Sequence, residues 1–287
     1  MTGPGQGQAH GEQRGETLEH KEQRLRGIIE ELGSAVVAFS GGVDSAYLAV
    51  AAASVLGDRV LCVTADSPSY PSRHRQVAES IASQFGLRHE FLQTSEMDRP
   101  EYVANPSNRC YYCKQELFGR LTALARERGI AAVLDGNNAD DRGDYRPGRQ
   151  AAREFHVRSP LDEADLTKGE VRELSRRLGL ATWNQPASAC LSSRIPYNSE
   201  VTVEKLRMIE QAEDALHDLG FTHCRVRHHG DVARIELAPA DMASVLDPER
   251  RARLVANLKA IGYRYVSLDL EGYRTGSLNE VLRLRPV

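Results

Sequence analysis

The sequence predicts an α/β protein: a parallel, doubly wound sheet followed by a small C-terminal α+β domain. Apolar, β-branched runs of strand length alternate with longer amphipathic or alanine-rich segments through the first 180 or so residues. From about residue 200 the pattern changes to one helix followed by closely spaced strands. Alternating strands and helices are typical of a parallel sheet covered on both faces.

The elements of the first unit follow in order. Residues 1–20 form a polar tail, which we expect to be disordered, and apolar residues at helical spacing predict a helix over 21–32. Strands are predicted at 34–39, 59–64, 88–92, 131–135 and near 155–158, with helices at 46–56, 73–85, 111–128 and 167–178. Thr167 and Glu170 have the spacing of a capping box.

The second unit is predicted to begin near residue 200. A helix over 203–219 leads to two strands, CRVRHHG and DVARIEL, and then to helices near 241–246 and over 248–261 and a strand at 263–268. The chain is therefore divided into a tail, a sheet domain over 21–199, and an α+β domain over 200–287 that serves substrate binding or oligomerisation.

Composition excludes several classes of protein. Of 287 residues, 41% are hydrophobic and 27% charged, which is ordinary for a globular protein and excludes disorder of the whole chain. A net charge of −3 argues against a basic nucleic-acid-binding domain. No apolar run suits a membrane span or the core of a signal peptide, so we expect a cytoplasmic protein with reduced cysteines.

The strongest motif follows the first strand. It reads Ser40, Gly41, Gly42, Val43, Asp44, Ser45. Two glycines let the backbone turn sharply beside an anion, and the amides of the turn and of the following helix then point at phosphate. Asp44 would repel phosphate unless a cation lies between them, which points to Mg²⁺ carried by a nucleotide. A plain tight strand–helix turn would use the same glycines.

Three cysteines lie in polar contexts. Cys110 and Cys113 form a CxxC pair at the start of a helix, where two thiolates make half of a metal site, and Cys190 lies in the irregular segment QPASACLSSRIPY. Three thiolates with an open fourth position suit a [4Fe–4S] cluster better than structural zinc. Unconnected surface thiols and a structural Cys190 are the alternatives. Cys62 and Cys224 lie in apolar or distant contexts and are expected to pack in cores.

Two further segments carry candidate ligands. The loop GNNADDRGDYRPG follows the fourth strand, and its carboxylates could bind Mg²⁺ unless it is simply a solvated acidic loop. Its candidates are Asp140, Asp141, Asp144, Arg146 and Arg149. Arg194 could lower the Cys190 pKa and hold an anionic substrate, and Arg225 and Arg227, two apart on one strand face, could bind phosphate or face solvent.

The SGGVDS hexapeptide resembles the PP-loop of N-type ATP pyrophosphatases, which include NAD, GMP and asparagine synthetases and tRNA thiolases. The resemblance implies that the loop holds the pyrophosphate of ATP and that a substrate group is adenylylated. Asp66, just after the second strand, lies where that family places the adenosine. No GK[ST] follows, so the motif is not a Walker A loop.

Four motifs together, SGGVDS, NPxxRCYxCK, DGNNADDxxDYRPG and PASACLSSRIPY, resemble the LarE family of ATP-dependent sulfur transferases. The resemblance implies that ATP adenylylates a carboxylate of a pyridinium biscarboxylic acid mononucleotide, and that a sulfur nucleophile then displaces AMP to give a thiocarboxylate for the nickel-pincer cofactor of lactate racemase. It places Lys114 and Asp141 with the nucleotide-binding residues. It further implies a homo-oligomer and a sulfur-delivery partner.

The family supplies sulfur in two ways. In one, the cysteine matching Cys190 gives up its own sulfur; in the other, that cysteine and a CxxC hold a [4Fe–4S] cluster with a replaceable extra sulfide. Because Cys110 and Cys113 accompany Cys190, we favour the cluster. The alternatives are a PP-loop tRNA thiolase, against which the net charge argues, and a nucleotide-sensing module that binds ATP without releasing pyrophosphate.

Overall fold

The computed structural model describes residues 16–143, 147–185 and 189–274. In these ranges the helices are α1 Leu18–Leu32, α2 Val43–Leu56, α3 Ser72–Gln84, α4 Pro100–Val103, α5 Arg109–Glu127, α6 Gly148–Glu154, α7 Pro160–Glu163, α8 Lys168–Arg177, α9 Val203–Asp218 and α10 Pro248–Ile261. The strands are β1 Ala35–Ala38, β2 Val60–Asp66, β3 His89–Gln93, β4 Ala132–Leu134, β5 Cys224–His229, β6 Val232–Leu237 and β7 Tyr265–Leu268.

The predicted parallel sheet is confirmed. Its described strands run in the order β3-β2-β1-β4, and every pair is parallel. Alternate side chains of one strand enter opposite cores: Val37 of β1 packs with α1, α2 and α3 residues, whereas Val36 packs with α5 and α6 residues. Because every residue of β1 is apolar, this strand can be buried on both faces, as a doubly wound sheet requires.

The predicted strand near 155–158 is wrong. Arg158 forms only a single parallel bridge with Leu134. His156 takes a positive φ of 54°, and α7 begins at Pro160, so too few extended residues remain for a strand. Two smaller expectations also change, since α1 begins at Leu18 inside the expected tail and the segment Pro239–Leu246 is a 3₁₀ helix.

The C-terminal unit has a core of its own. Strands β5 and β6 form an antiparallel hairpin, β7 joins β6 in parallel, and α9 and α10 pack on this sheet. A further apolar cluster combines Tyr102, Leu191 and Ile195 with Leu206 and Ile209 of α9. Side chains thus connect the two sheets across the expected boundary near residue 200, which stays a prediction.

Two kinds of ion pair also join the units. Arg194 is 1% exposed and makes a two-point contact with Glu213 of α9, at 2.9 and 3.0 Å. Arg73 of α3 pairs with Asp214 of α9 at 2.5 Å, but both side chains are more than one-third exposed. The first pair is shielded from water and the second is not.

Removing one partner of each pair should separate their contributions. Glu213→Ala leaves the Arg194 guanidinium buried without its counter-charge and should lower the free energy of unfolding by about 3–5 kcal/mol. Arg73→Ala breaks the exposed pair and should cost about 1 kcal/mol or less. Urea denaturation followed by circular dichroism measures both; equal losses in the two variants would contradict the distinction.

Candidate active site

The SGGVDS turn is built as an anion cradle. Gly42 is the N-cap of α2, and the Ser45 hydroxyl accepts from the Ser40 N–H at 3.2 Å and donates to the Gly42 carbonyl at 3.1 Å. Gly41 has a φ of 70°, and a Cβ there would lie 3.1 Å from the backbone nitrogen of Ala78. The free amides at the start of this 14-residue helix are therefore available to phosphate.

Asp44 has a cationic partner that sequence analysis missed. Its carboxylate forms an ion pair with Lys168 Nζ and accepts from Asn138 Nδ2 at 3.3 Å. Lys168 is the first residue of α8 and lies inside the predicted Thr167–Glu170 capping box, which the structure confirms. A lysine in a capping box was the available signal, but only the fold places it at Asp44.

The carboxylates of the acidic loop after β4 bind the backbone of the loop itself and of the start of α8. Asp141 is buried and accepts from the Asn138 N–H at 3.0 Å, and Asp140 accepts from the Lys168 N–H at 2.9 Å. Among the described residues, no three His, Cys, Asp or Glu side chains are arranged to hold a single metal ion. Asp144 and Arg146 lie outside the described residues, and Arg149 pairs with Asp162.

Asp66 ends β2 at the carboxyl edge of the sheet. It accepts from Arg75 at 2.7 Å and from Gln93 at 2.6 Å. The Arg75 guanidinium stacks 3.9 Å over the ring of Phe91 on the neighbouring strand. The expected adenosine position therefore combines a hydrogen-bonding carboxylate with flat stacking surface.

The loop that carries Cys190 is fastened to the segment that precedes the CxxC pair. The Asn105 carboxamide donates to the carbonyls of Ile195, Pro196 and Ser199 at 3.3, 2.8 and 2.9 Å. The buried Arg109 donates to the Ser192 carbonyl at 2.9 Å, and the Tyr102 hydroxyl lies 2.6 Å from that of Ser192. Ser192, two residues after Cys190, is thus bonded to the residue just before Cys110.

The three polar cysteines share one electrostatic environment. Burial raises the pKa of the Cys113 thiol, and the charges of Glu96, Cys190 and Cys110 raise it further while Lys114 opposes them. Cys62 and Cys224 are buried in the two cores, where desolvation raises each thiol pKa to about 12. The expected core positions of Cys62 and Cys224 are confirmed, and the role of the other three cysteines stays a prediction.

Sequence analysis expected Arg194 to hold an anionic substrate; the structure shows it buried and bonded to protein groups, and the substrate role stays a prediction. Besides its pair with Glu213, its Nη1 donates to the carbonyls of Ala189 and Cys190 at 2.8 and 2.9 Å and to the Ser193 hydroxyl at 2.9 Å. A fully buried arginine at the end of an irregular polar segment could not be distinguished by sequence from an exposed one. Its contacts make it a support for the Cys190 loop.

The two strand arginines have different surroundings. Arg227 makes a two-point contact with the buried Glu236, at 2.9 and 2.8 Å, and donates to the Ser193 carbonyl at 2.7 Å. Arg225 lies 5.2 Å from the Tyr273 ring and lines a cavity with residues that include His74 and Arg194. Burial and the Arg194 charge lower the pKa of Arg225, and the same two causes lower that of His74 to about 4. The cavity is lined by three arginines and also by three carboxylates, those of Glu210, Glu213 and Asp214.

Among known proteins, one family matches the first part of the chain, and a relative matches nearly all of it. The family described as asparagine synthase matches residues 33–142, which hold the SGGVDS turn and the CxxC pair. An uncharacterized protein of Synechocystis is 47% identical over 265 residues, covering 92% of this chain and 99% of that protein.

Two named relatives differ in extent. The pyridinium-3,5-bisthiocarboxylic acid mononucleotide synthase of Lactiplantibacillus plantarum is 39% identical over 267 residues, covering 93% of this chain and 96% of that protein. A component of the glutamine-hydrolysing GMP synthase of Pyrococcus abyssi is 26% identical over 213 residues, covering 67% of each chain.

The close approach of the loop after β4 to the cradle can be tested at Gly136. A Cβ there would lie 2.9 Å from the Ser45 backbone nitrogen, so Gly136→Ala should displace the cradle and weaken ATP binding by about tenfold or more. Gly27→Ala is the matched control, because nothing lies within 4 Å of its added Cβ. Calorimetric titration with Mg–ATP measures both; unchanged affinity in Gly136→Ala would contradict the assignment.

Proposed function

The chain belongs to the LarE family of ATP-dependent sulfur transferases, and from that premise we propose that it converts a carboxylate of a pyridinium-3,5-biscarboxylic acid mononucleotide into a thiocarboxylate. The observation that carries the proposal is that one segment after β2 contacts both the SGGVDS turn and the Cys190 loop. The Tyr70 hydroxyl donates to the Ser40 carbonyl at 3.0 Å, and the Leu191 N–H donates to the Ser69 carbonyl at 2.9 Å. The SGGVDS turn serves activation by ATP and the Cys190 loop serves sulfur transfer.

Adenylylation is the first step. The substrate carboxylate oxygen attacks the α-phosphorus of ATP, an oxygen–phosphorus bond forms, and the bond to pyrophosphate breaks. The cradle amides and the Lys168 ammonium, which is held at Asp44, stabilise the charge that develops on the leaving pyrophosphate. Magnesium enters with ATP, and Asp44 and Asp140 are carboxylates of the kind it prefers beside the cradle.

Sulfur transfer is the second step. A sulfur nucleophile attacks the acyl carbon of the mixed anhydride, and the carbon–oxygen bond to AMP breaks. A carboxylate becomes a useful electrophile only when its oxygen leaves as AMP, and thiolates and hydrosulfide are strong nucleophiles near neutral pH. Lys114, which acts on the Cys113 thiol through its charge, is the cation that we assign to the phosphate of AMP.

The Arg225 cavity is the proposed site for the phosphate of the substrate. Arg225 supplies a planar guanidinium in partly desolvated surroundings, where charge-assisted hydrogen bonds to phosphate are strong. Arg194 and Arg227 act from behind it by holding the carbonyls of Cys190 and Ser193. Leu191, which follows Cys190, lines the same cavity, and we therefore assign the reactive carboxylate to the Cys190 side of it.

We propose that Cys110, Cys113 and Cys190 hold a [4Fe–4S] cluster. Two thiols from one helical turn and a third from a loop bonded to that turn form a three-cysteine donor set. A four-iron cluster is wider than a single ion, so its thiolates need not gather around one point. When bound, the cluster would supply an exchangeable sulfide as the nucleophile, and Cys190 would remain intact.

The adenylylation step is tested at Asp44. Asp44→Ala leaves Lys168 without the carboxylate that positions it and should slow substrate-dependent pyrophosphate release by about 100-fold or more. Asp58→Ala, at an exposed position beyond the other end of α2, should release pyrophosphate at the wild-type rate. Near-normal release by Asp44→Ala would count against this role.

The cluster is tested by single cysteine substitutions under anaerobic conditions. Wild-type protein should contain about four irons per chain, and Cys110→Ala, Cys113→Ala and Cys190→Ala should each lose most of them. Cys62→Ala and Cys224→Ala should keep the iron, because these thiols lie in the separate cores. Iron-free wild-type protein, or equal iron in all five variants, would contradict the proposed ligands.

A further inference from the structure

Glu96 is a buried carboxylate without a counter-charge. It is 2% exposed and begins the 3₁₀ turn Glu96–Asp98 after β3. The hydroxyls of Ser67 and Ser69 both donate to its Oε1, at 2.5 and 2.7 Å. Within 16–143, 147–185 and 189–274, no cation pairs with it and no group donates to Oε2. Both hydroxyls bond Oε1, so Oε2 keeps lone pairs that a metal centre can accept.

Three contacts place Glu96 with the site cysteines. The Ser95 N–H donates to Glu116 of α5 at 3.2 Å, one turn beyond Cys113. The Ser69 carbonyl accepts from the Leu191 N–H at 2.9 Å, next to Cys190. Met97 packs on the same apolar cluster as Cys113.

We propose that Glu96 is the fourth protein ligand of the cluster and binds, through a carboxylate oxygen, the iron that the three cysteines leave open. The inference rests on the proposed function, which supplies the cluster. A carboxylate is a hard ligand, and iron in a sulfur-rich cluster prefers soft sulfide. Glu96 therefore protects the open iron and yields it when hydrosulfide arrives.

The exchange is balanced without a redox partner. With the cluster bound, Glu96 would hold the open iron and would release it to an incoming hydrosulfide, so that one iron–oxygen bond is exchanged for one iron–sulfur bond. Glu96 leaves as a carboxylate anion, which the Ser67 and Ser69 hydroxyls continue to bind, and no electron changes hands. Loss of the transferred sulfur to the substrate then lets Glu96 return.

Glu96→Gln separates ligation from a purely structural role. Glutamine has the same shape and keeps an acceptor oxygen for the two serine hydroxyls, but it is a much weaker iron ligand. Glu116→Gln is the matched control, because Glu116 contacts the same segment through Ser95 while pairing with Arg120. Circular dichroism of the iron-free proteins establishes that each variant is folded.

The experiment uses full-length protein loaded anaerobically with ⁵⁷Fe and sulfide, desalted and reduced in H₂¹⁷O. Wild type and Glu116→Gln should show no ¹⁷O coupling by pulsed electron paramagnetic resonance, because Glu96 excludes water from the open iron. Glu96→Gln should show that coupling and an altered Mössbauer doublet for one iron. Its apparent Kd for added sulfide should fall by about tenfold, because no carboxylate competes.

The outcomes separate this inference from the proposed function. Iron-free wild-type protein would overturn both. Iron-loaded wild-type protein with strong ¹⁷O coupling would overturn the ligation by Glu96 alone, whether or not the variant folds. Spectra and sulfide affinity of Glu96→Gln that match wild type would likewise leave Glu96 as a tether for Ser67 and Ser69 and nothing more.

Discussion

The candidate active site depends on the hydrogen bonds that Asn105 and Arg109 donate to the backbone of the loop after Cys190. Asn105 alone donates to three carbonyls of that loop, and Arg109 holds a fourth from a buried position. Without these donors, the carbonyls of this irregular segment would need water as their hydrogen-bond partner, and the segment could not be buried. These bonds hold the Cys190 loop and the CxxC helix, which are far apart in the sequence, at a fixed distance from each other.

Three arginines near the Cys190 loop differ in what they contact. Arg194 and Arg227 form ion pairs with Glu213 and Glu236. They also donate to the carbonyls of Cys190 and Ser193, respectively. Arg225 lines a cavity together with Arg194 and three carboxylates, and it is the arginine that we propose for the substrate phosphate.

The sequence predicted what depends on local pattern. Strand and helix periodicity identified the parallel sheet, and the capping box at Thr167 was correct because its contacts lie within four residues. Contacts across the chain were not predictable: Lys168 meets Asp44 across 124 positions, and Glu96 has no motif. The buried position of Arg194 was not predictable for the same reason, since its partner Glu213 lies on α9. The cradle was found because glycine-rich turns have a local signature, whereas ion pairs do not.

We propose that Cys110, Cys113 and Cys190 act together and that Cys190 is a ligand and not a consumed reagent. The most direct measurement is the number of thiocarboxylates formed per chain with excess ATP, substrate and sulfide under anaerobic conditions, followed by mass spectrometry of the Cys190 peptide. The account predicts several products per chain and an unmodified Cys190. One product per chain, with Cys190 converted to dehydroalanine, would contradict it.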